Sequence, residues 1–393
     1  MTKHKHSGAI LKPGRDKALR QRHHWIFSGA IQSLPPFENG NFLPVYASDG
    51  TCMGSGYFNR SSGIIGRMVS FDNTPPLENI AKKLESALSL RQQWFDLQQT
   101  NAYRLINGEG DGIPGLILDI YDQVVVLQSS TKGIDLIKPW IVEWINLHLK
   151  PKTIYEKSLL PSRREEGIAD FQGYLSGEEE SNVSFIENGL HFTMSLERSQ
   201  KTGFFLDHRE MRQWMRQLAA GKRVLNAFSY TGGFTVYALA GGAKRVDSVD
   251  ISEEAMAAVK RHVILNGWDP QNQGFYSEDV FLFLREHELP YDLVILDPPA
   301  FAKKGKDTIS ACRGYKDINR LAMHKMPPQS LLLTCSCSHY VDEELFQKVL
   351  FQAALEARRE VRIVGRHRLA PDHPINLFHP ESSYLKSFLL FIE

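Results

Sequence analysis

The chain has 393 residues, 42 % of them apolar and 23 % charged, with a formal net charge of +1. That composition excludes a mainly disordered or fibrous chain, and the length suggests two to four domains. No apolar run reaches the ~18 residues of a membrane-crossing helix, and the basic start Met1-Thr2-Lys3-His4-Lys5-His6 lacks the apolar stretch of a secretory signal.

The net charge hides an uneven distribution. Residues 1–30 hold seven cations (Lys3, Lys5, Lys12, Arg15, Lys17, Arg20, Arg22) against the single acid Asp16, with His4, His6, His23 and His24 among them. Such a patch is the electrostatic footprint of a module that meets phosphates, and it is also what a solvated terminal segment shows. Trp25-Ile26-Phe27 follow at once, which suggests that the patch sits on folded structure. The short runs Phe42–Tyr46 and Ile64-Ile65, set among Gly50, Gly54, Gly56, Gly63 and Gly66, predict a small β-rich domain over residues 1–75, closed by Pro75-Pro76.

A second, α+β domain is expected over 76–190. Helical spacing runs through 77–98, and a dense turn follows at 107–115. Two strands, 116–121 and 124–127, flank Asp122-Gln123, and a helix over 134–148 follows. The polar close around Glu178-Glu179-Glu180 reads as a loop.

The third domain, 191–393, alternates strand and helix. Strands are expected at 223–227, 245–249, 293–296 and 330–334, and helices at 234–240, 253–266 and 343–357. This is the pattern of an α/β fold with a doubly wound, mostly parallel, Rossmann-like sheet. Ligands of such sheets bind beyond the carboxyl ends of the strands. The first strand ends in Phe228-Ser229-Tyr230-Thr231-Gly232-Gly233, a glycine turn that fits neither GxGxxG nor the P-loop. The second ends in Asp250-Ile251-Ser252, where Asp250 can accept both hydroxyls of an adenosine ribose and Ser252 can cap the next helix. Asp279 is placed either to accept an adenine amino group or to cap the helix that starts at Val280. The strand 293–296 ends in Asp297-Pro298-Pro299, whose prolines stiffen the loop. Taken in order, these four motifs resemble motifs I to IV of class I S-adenosylmethionine-dependent methyltransferases. The resemblance implies S-adenosylmethionine as cofactor, with Phe228, Tyr230, Thr231, Gly232, Gly233, Asp250, Ser252, Asp279 and Asp297 in its site.

The next strand ends in Thr334-Cys335-Ser336-Cys337-Ser338. With Cys52 and Cys312, these are the only cysteines, too few for a disulfide framework, so a reducing cytoplasm is expected. No other Cys/His pair has zinc-finger spacing, and no metal is expected. Carbon 5 of a pyrimidine is too weak a nucleophile to take a methyl group directly. A thiolate adding at carbon 6 makes it an enamine-type nucleophile, and covalent catalysis thereby splits a hard step in two. The cysteine pair therefore points to carbon 5 methylation.

Over nearly its full length the chain resembles the PUA-domain-containing class I methyltransferases that make 5-methylcytosine in large-subunit (23S-type) ribosomal RNA. The motifs that carry this are Glu109–Leu116, Gln200–Arg209, Phe228–Phe234, Asp297-Pro298-Pro299 and Cys335-Ser336-Cys337-Ser338. The resemblance implies an RNA-binding PUA domain in 1–75, cofactor-pocket residues near 200–209, and Asp297 beside the target base. Thr334-Cys335-Ser336 matches the broader RNA 5-methylcytosine enzymes, but the nearer subfamily reads Ser-Cys-Ser, which puts the nucleophile at Cys337. His208 stands where many relatives carry glutamine, and Ala300 where many such enzymes carry a second cysteine. The expected partner is large-subunit rRNA, with its target base flipped out; no membrane or DNA partner is expected, and a homodimer is left open. A guanine-nitrogen methyltransferase with a structural cysteine and a non-catalytic RNA-binding assembly factor are the competing readings.

Overall fold

The computed structural model describes residues 7–302 and 304–393. Lys3, Lys5, His4 and His6 of the basic stretch lie outside them. The chain divides into two compact units: one runs up to Gly189 and takes in 193–206 and 371–382; the other holds 190–192, 207–370 and 383–393.

In the first unit a six-stranded sheet uses strands between Ala9 and Ser70, in the order 25–27, 64–70, 52–58, 42–46, 9–11, 31–33. Its interior is small and apolar, with Ala9, Leu11, Ile26, Val45, Phe58 and Met68 at its centre. Pro76 opens the helix Pro76–Trp94 at a position where its missing N–H costs nothing. The helix stops short of residue 98 because Phe95 turns extended. A five-stranded sheet follows, in the order 171–177, 153–158, 124–129, 116–121, 102–107. The helices Pro76–Trp94 and Lys132–His148 bury Ile80, Leu84, Ile141 and Ile145 in one core with Leu118 and Leu127 of this sheet and with Tyr57 and Val69.

The second unit is built on seven strands: β1 (Arg223–Ala227), β2 (Arg245–Asp250), β3 (Gly274–Ser277), β4 (Leu293–Leu296), β5 (Ser330–Ser336), β6 (Val361–Arg366) and β7 (Lys386–Ile392). Their order is β3-β2-β1-β4-β5-β7-β6. The first five run parallel, and β7 is inserted antiparallel between β5 and β6. Six helices accompany them: α1 (Arg209–Leu218), α2 (Gly233–Ala240), α3 (Glu253–Leu265), α4 (Val280–Glu286), α5 (Thr308–Lys325) and α6 (Glu343–Ala357). Helices α4, α5 and α6 pack on one sheet face through Phe283, Ile318 and Phe346, while α1, α2 and α3 pack on the other through Met215, Ala238 and Val259. Strand order reverses at β1, where the chain goes outward to β2 and β3 and then back to β4. This reversal opens the crevice in which doubly wound sheets bind ligands.

Candidate active site

The turn after β1 is bent sharply. Phe228, Tyr230 and Gly232 all have positive φ (59°, 45° and 82°). Only glycine adopts this conformation without strain, and a Cβ on Gly232 would stand 2.8 Å from Val259 Cγ1. The Gly232 N–H donates to the Ser229 carbonyl at 2.8 Å, and His262 Nδ1 lies 2.7 Å from the Thr231 carbonyl. The loop is therefore fixed from both sides and delivers the chain into α2 at Gly233.

Asp250 stands at the tip of β2 and organises two loops. Its Oδ2 accepts the Tyr230 N–H at 2.9 Å and its Oδ1 accepts the Ser252 N–H at 3.1 Å. Each carboxylate oxygen keeps a second lone pair, so the group is oriented without being used up. Ser252 and Asp279 both act as helix caps. Ser252 Oγ accepts the Ala255 N–H of α3, and Asp279 Oδ1 accepts the Leu282 N–H of α4. Phe228 faces Phe281 and Phe301, with ring centroids 6.3 and 6.5 Å away. The fit for an adenosyl group rests on this crevice: the Asp250 carboxylate is at its edge, and the buried Ser229 hydroxyl finds no partner among the described residues. Ile251 lies 72 % exposed beside that carboxylate. An apolar side chain left open next to a polar anchor is a surface for a flat ring, and the sequence reading did not single it out.

Asp297, at the tip of β4, meets His208. The imidazole Nε2 lies 3.1 Å from Asp297 Oδ1. His208 is buried, and burial alone would lower its pKa, but the carboxylates of Asp297 and then Asp207 outweigh that and hold it above the ordinary histidine value. Asp207 in turn accepts the Tyr384 hydroxyl proton. The motif Gln200–Arg209 is split between the units: 200–206 belong to the first and 207–209 to the second. His208, Asp297 and Cys335 offer ligand atoms within 4.8 Å of one another, a grouping the cysteine and histidine spacing does not reveal.

The two cysteines of β5 part company. Cys335 is fully buried in the apolar layer with Leu333 and Leu389, and burial, reinforced by the Asp297 charge, drives its thiol pKa well up. Cys337 lies one residue past the strand, half-buried, with its Sγ 3.7 Å from the Pro298 carbonyl of the Asp-Pro-Pro loop. The next residue holds that loop still. The Ser338 hydroxyl accepts the Ala302 N–H at 3.1 Å and lies 2.8 Å from the Tyr315 hydroxyl, while its carbonyl accepts from Lys386 Nζ at 2.7 Å. Lys386 was not among the residues read from the sequence. Its one signal there is a lone lysine opening the apolar run Phe388–Ile392.

The chain matches the S-adenosylmethionine-dependent methyltransferase family over residues 162–383 and the PUA-like domain over residues 9–71. It is 41 % identical to the ribosomal RNA large subunit methyltransferase I of Alteromonas mediterranea, with 97 % of each chain covered. The enzyme of the same name from Photobacterium profundum is 39 % identical, with 98 % of each chain covered. Among solved structures, SMU.776 complexed with SAH superposes with a TM-score of 0.84 at 25 % identity, covering 97 % of this chain and 99 % of that one.

Proposed function

The chain belongs to the S-adenosylmethionine-dependent methyltransferases that carry a PUA-like domain, and we propose that it methylates carbon 5 of a cytosine in large-subunit ribosomal RNA through a transient covalent bond to Cys337. S-adenosylmethionine, the cofactor, supplies an electrophilic methyl group. In this reading Asp250 holds the ribose hydroxyls, Ile251 and Phe228 offer apolar surface, and the turn Tyr230-Thr231-Gly232-Gly233 brings backbone close to the donor. Ser252 and Asp279 act at the edge of the same site, chiefly by fixing the helix starts that frame it.

The observation that carries the reading is the position of Cys337. Cys337 is only half-buried, with its sulfur against the Asp-Pro-Pro loop, whereas Cys335 is sealed in the apolar core with its thiol held protonated. The thiolate adds to carbon 6, and carbon 5 takes the methyl group. Water takes the carbon 5 proton, the carbon 6–sulfur bond breaks, and the thiolate leaves with the electron pair as the ring double bond is restored. Asp297, oriented by His208, lies on the adjoining strand tip, where it can hydrogen-bond the amino group or ring nitrogen of the base. The rRNA substrate follows the activity for which the two relatives are named, and an rRNA substrate supports a cytoplasmic location.

The test is Cys337→Ala. It is expected to abolish 5-methylcytosine formation while calorimetry shows S-adenosylmethionine still bound. Full turnover by the variant would overturn the covalent mechanism and turn the reading toward methylation of a base nitrogen. Mass spectrometry of rRNA from cells with and without the protein would show which base loses its methyl group.

A further inference from the structure

We propose that Lys386 is a positioning residue that sets the protonation state of Cys337. The neutral amine takes the thiol proton, and the resulting ammonium stabilises the thiolate. The inference rests on the reading of Cys337 as nucleophile and explains how an ordinary thiol becomes one. The exchange balances within the pair. The S–H bond breaks, an N–H bond forms on Nζ, the sulfur keeps the electron pair, and no co-reactant is needed.

The backbone brings the two groups together. Lys386 opens β7 and pairs in register with Ser336, the last residue of β5. Its Nζ donates to the carbonyls of Ser338 (2.7 Å) and Tyr384 (2.6 Å). Cys337 therefore sits between the residue opposite Lys386 and the residue bonded to it. Both acceptors are neutral, so among the described residues no carboxylate holds this 8 % exposed side chain by hydrogen bonds. An ammonium carries three donors, and the two carbonyls use two of them.

The surrounding groups leave Lys386 as the one to act. Tyr315 and Cys335 also interact electrostatically with Cys337, but burial raises both pKa values, so both stay neutral. Asp342, near Lys386, and Asp297, near Cys335, are anions that oppose thiolate formation. Burial lowers Lys386 to about 8, with the Cys337 and Asp342 charges pulling the other way. An amine titrating there can accept a proton near neutral pH and hold a charge once it has done so.

The experiment is the pH profile of Cys337 alkylation by iodoacetamide in the full-length protein without RNA, read on the Cys337 peptide by mass spectrometry. The wild-type inflection is expected below the ~8.5 of an ordinary cysteine. Lys386→Met is expected to raise it by about one pH unit, or roughly tenfold slower labelling at neutral pH. Lys386→Arg, which keeps a cation, is expected to retain most of the lowering. A wild-type inflection at or above that of a free cysteine peptide overturns the proposal without any variant, as does a profile unchanged in Lys386→Met. Neither result touches the Cys337→Ala assay, so the two readings fail separately.

Discussion

Asp297 is held by a histidine and, among the described residues, by no arginine or lysine, and that makes its environment sensitive to pH. His208 is buried, its Nε2 reaches Asp297, and its Nδ1 finds no partner among the described residues. Because its folded pKa is raised, the ion pair stabilises the fold fully below the unfolded histidine value near 6.5, and that contribution is lost as pH rises through the folded value. His208→Gln can keep a hydrogen bond to Asp297 but not the charge. Its melting temperature should therefore fall furthest below wild type at acidic pH, and the gap should close as pH rises from 6 to 9. A constant gap in thermal melts would mean that the charge plays no part. Cys335 calls for a different test, because its role is packing. Cys335→Ser puts a hydroxyl among Leu333 and Leu389 and should cost about 1–3 kcal/mol in urea unfolding. Methyl transfer per folded molecule should persist, and its loss would move the nucleophile two residues back.

The turn between β1 and α2 tests whether a single backbone conformation underlies the cofactor crevice. Gly232→Ala would force a side chain into φ +82° and against Val259. The strain should cost about 1–3 kcal/mol of stability and weaken S-adenosylmethionine binding in calorimetry; unchanged affinity would show that the loop does not carry the donor. Elements of this kind were legible in the sequence because their signal is local. The strand 223–227, the glycine turn and the acid at the tip of β2 lie within a few dozen residues and follow the βαβ alternation. β7 escaped because it lies antiparallel beside β5 and is not reached by the strand–helix alternation. β3 is as short as β4 but reads Gly-Phe-Tyr-Ser and is only partly buried, so it lacks the apolar run that marks Leu293–Leu296. The strand Thr153–Ser158 is buried throughout yet contains Glu156 and Lys157. Its polarity hides it, since Lys157 is satisfied by the carbonyls of Leu196, Glu197 and Ser199 and by the Ser199 hydroxyl, about 40 residues away. The site divides in the same way. The strand-tip residues could be read from their motifs, whereas His208 and Lys386 gain their meaning from partners that only the folded sheet supplies.

For the molecule as a whole, the question is how a nearly neutral chain holds a polyanion. The cations of the six-stranded domain are concentrated at its start. Lys12, Arg15, Lys17, Arg20 and Arg22 are all exposed, and Phe27 is 53 % exposed beside them. They are not equivalent. Arg20 is bound to Asp16 at 2.6 Å and lies 3.7 Å from Asp49, and Lys12 Nζ donates to the Gly29 carbonyl. Arg22 sits over the rings of Phe71 and Phe378 at 5.6 and 5.7 Å. Among the described residues, the Arg15 and Lys17 side chains make no such contact, so they are the cations freest to meet phosphates. Each phosphate contact releases condensed counterions, so affinity falls with salt at a slope of about 0.7 per contact for single-stranded RNA. Replacing Arg15 and Lys17 together by alanine should therefore reduce the log–log salt slope of rRNA-fragment binding by about 1.4, weakening binding at low salt far more than at high salt. S-adenosylmethionine affinity, set in the other unit, should not change. A salt slope equal to wild type would mean that the basic start is merely solvated surface and that the RNA is held elsewhere.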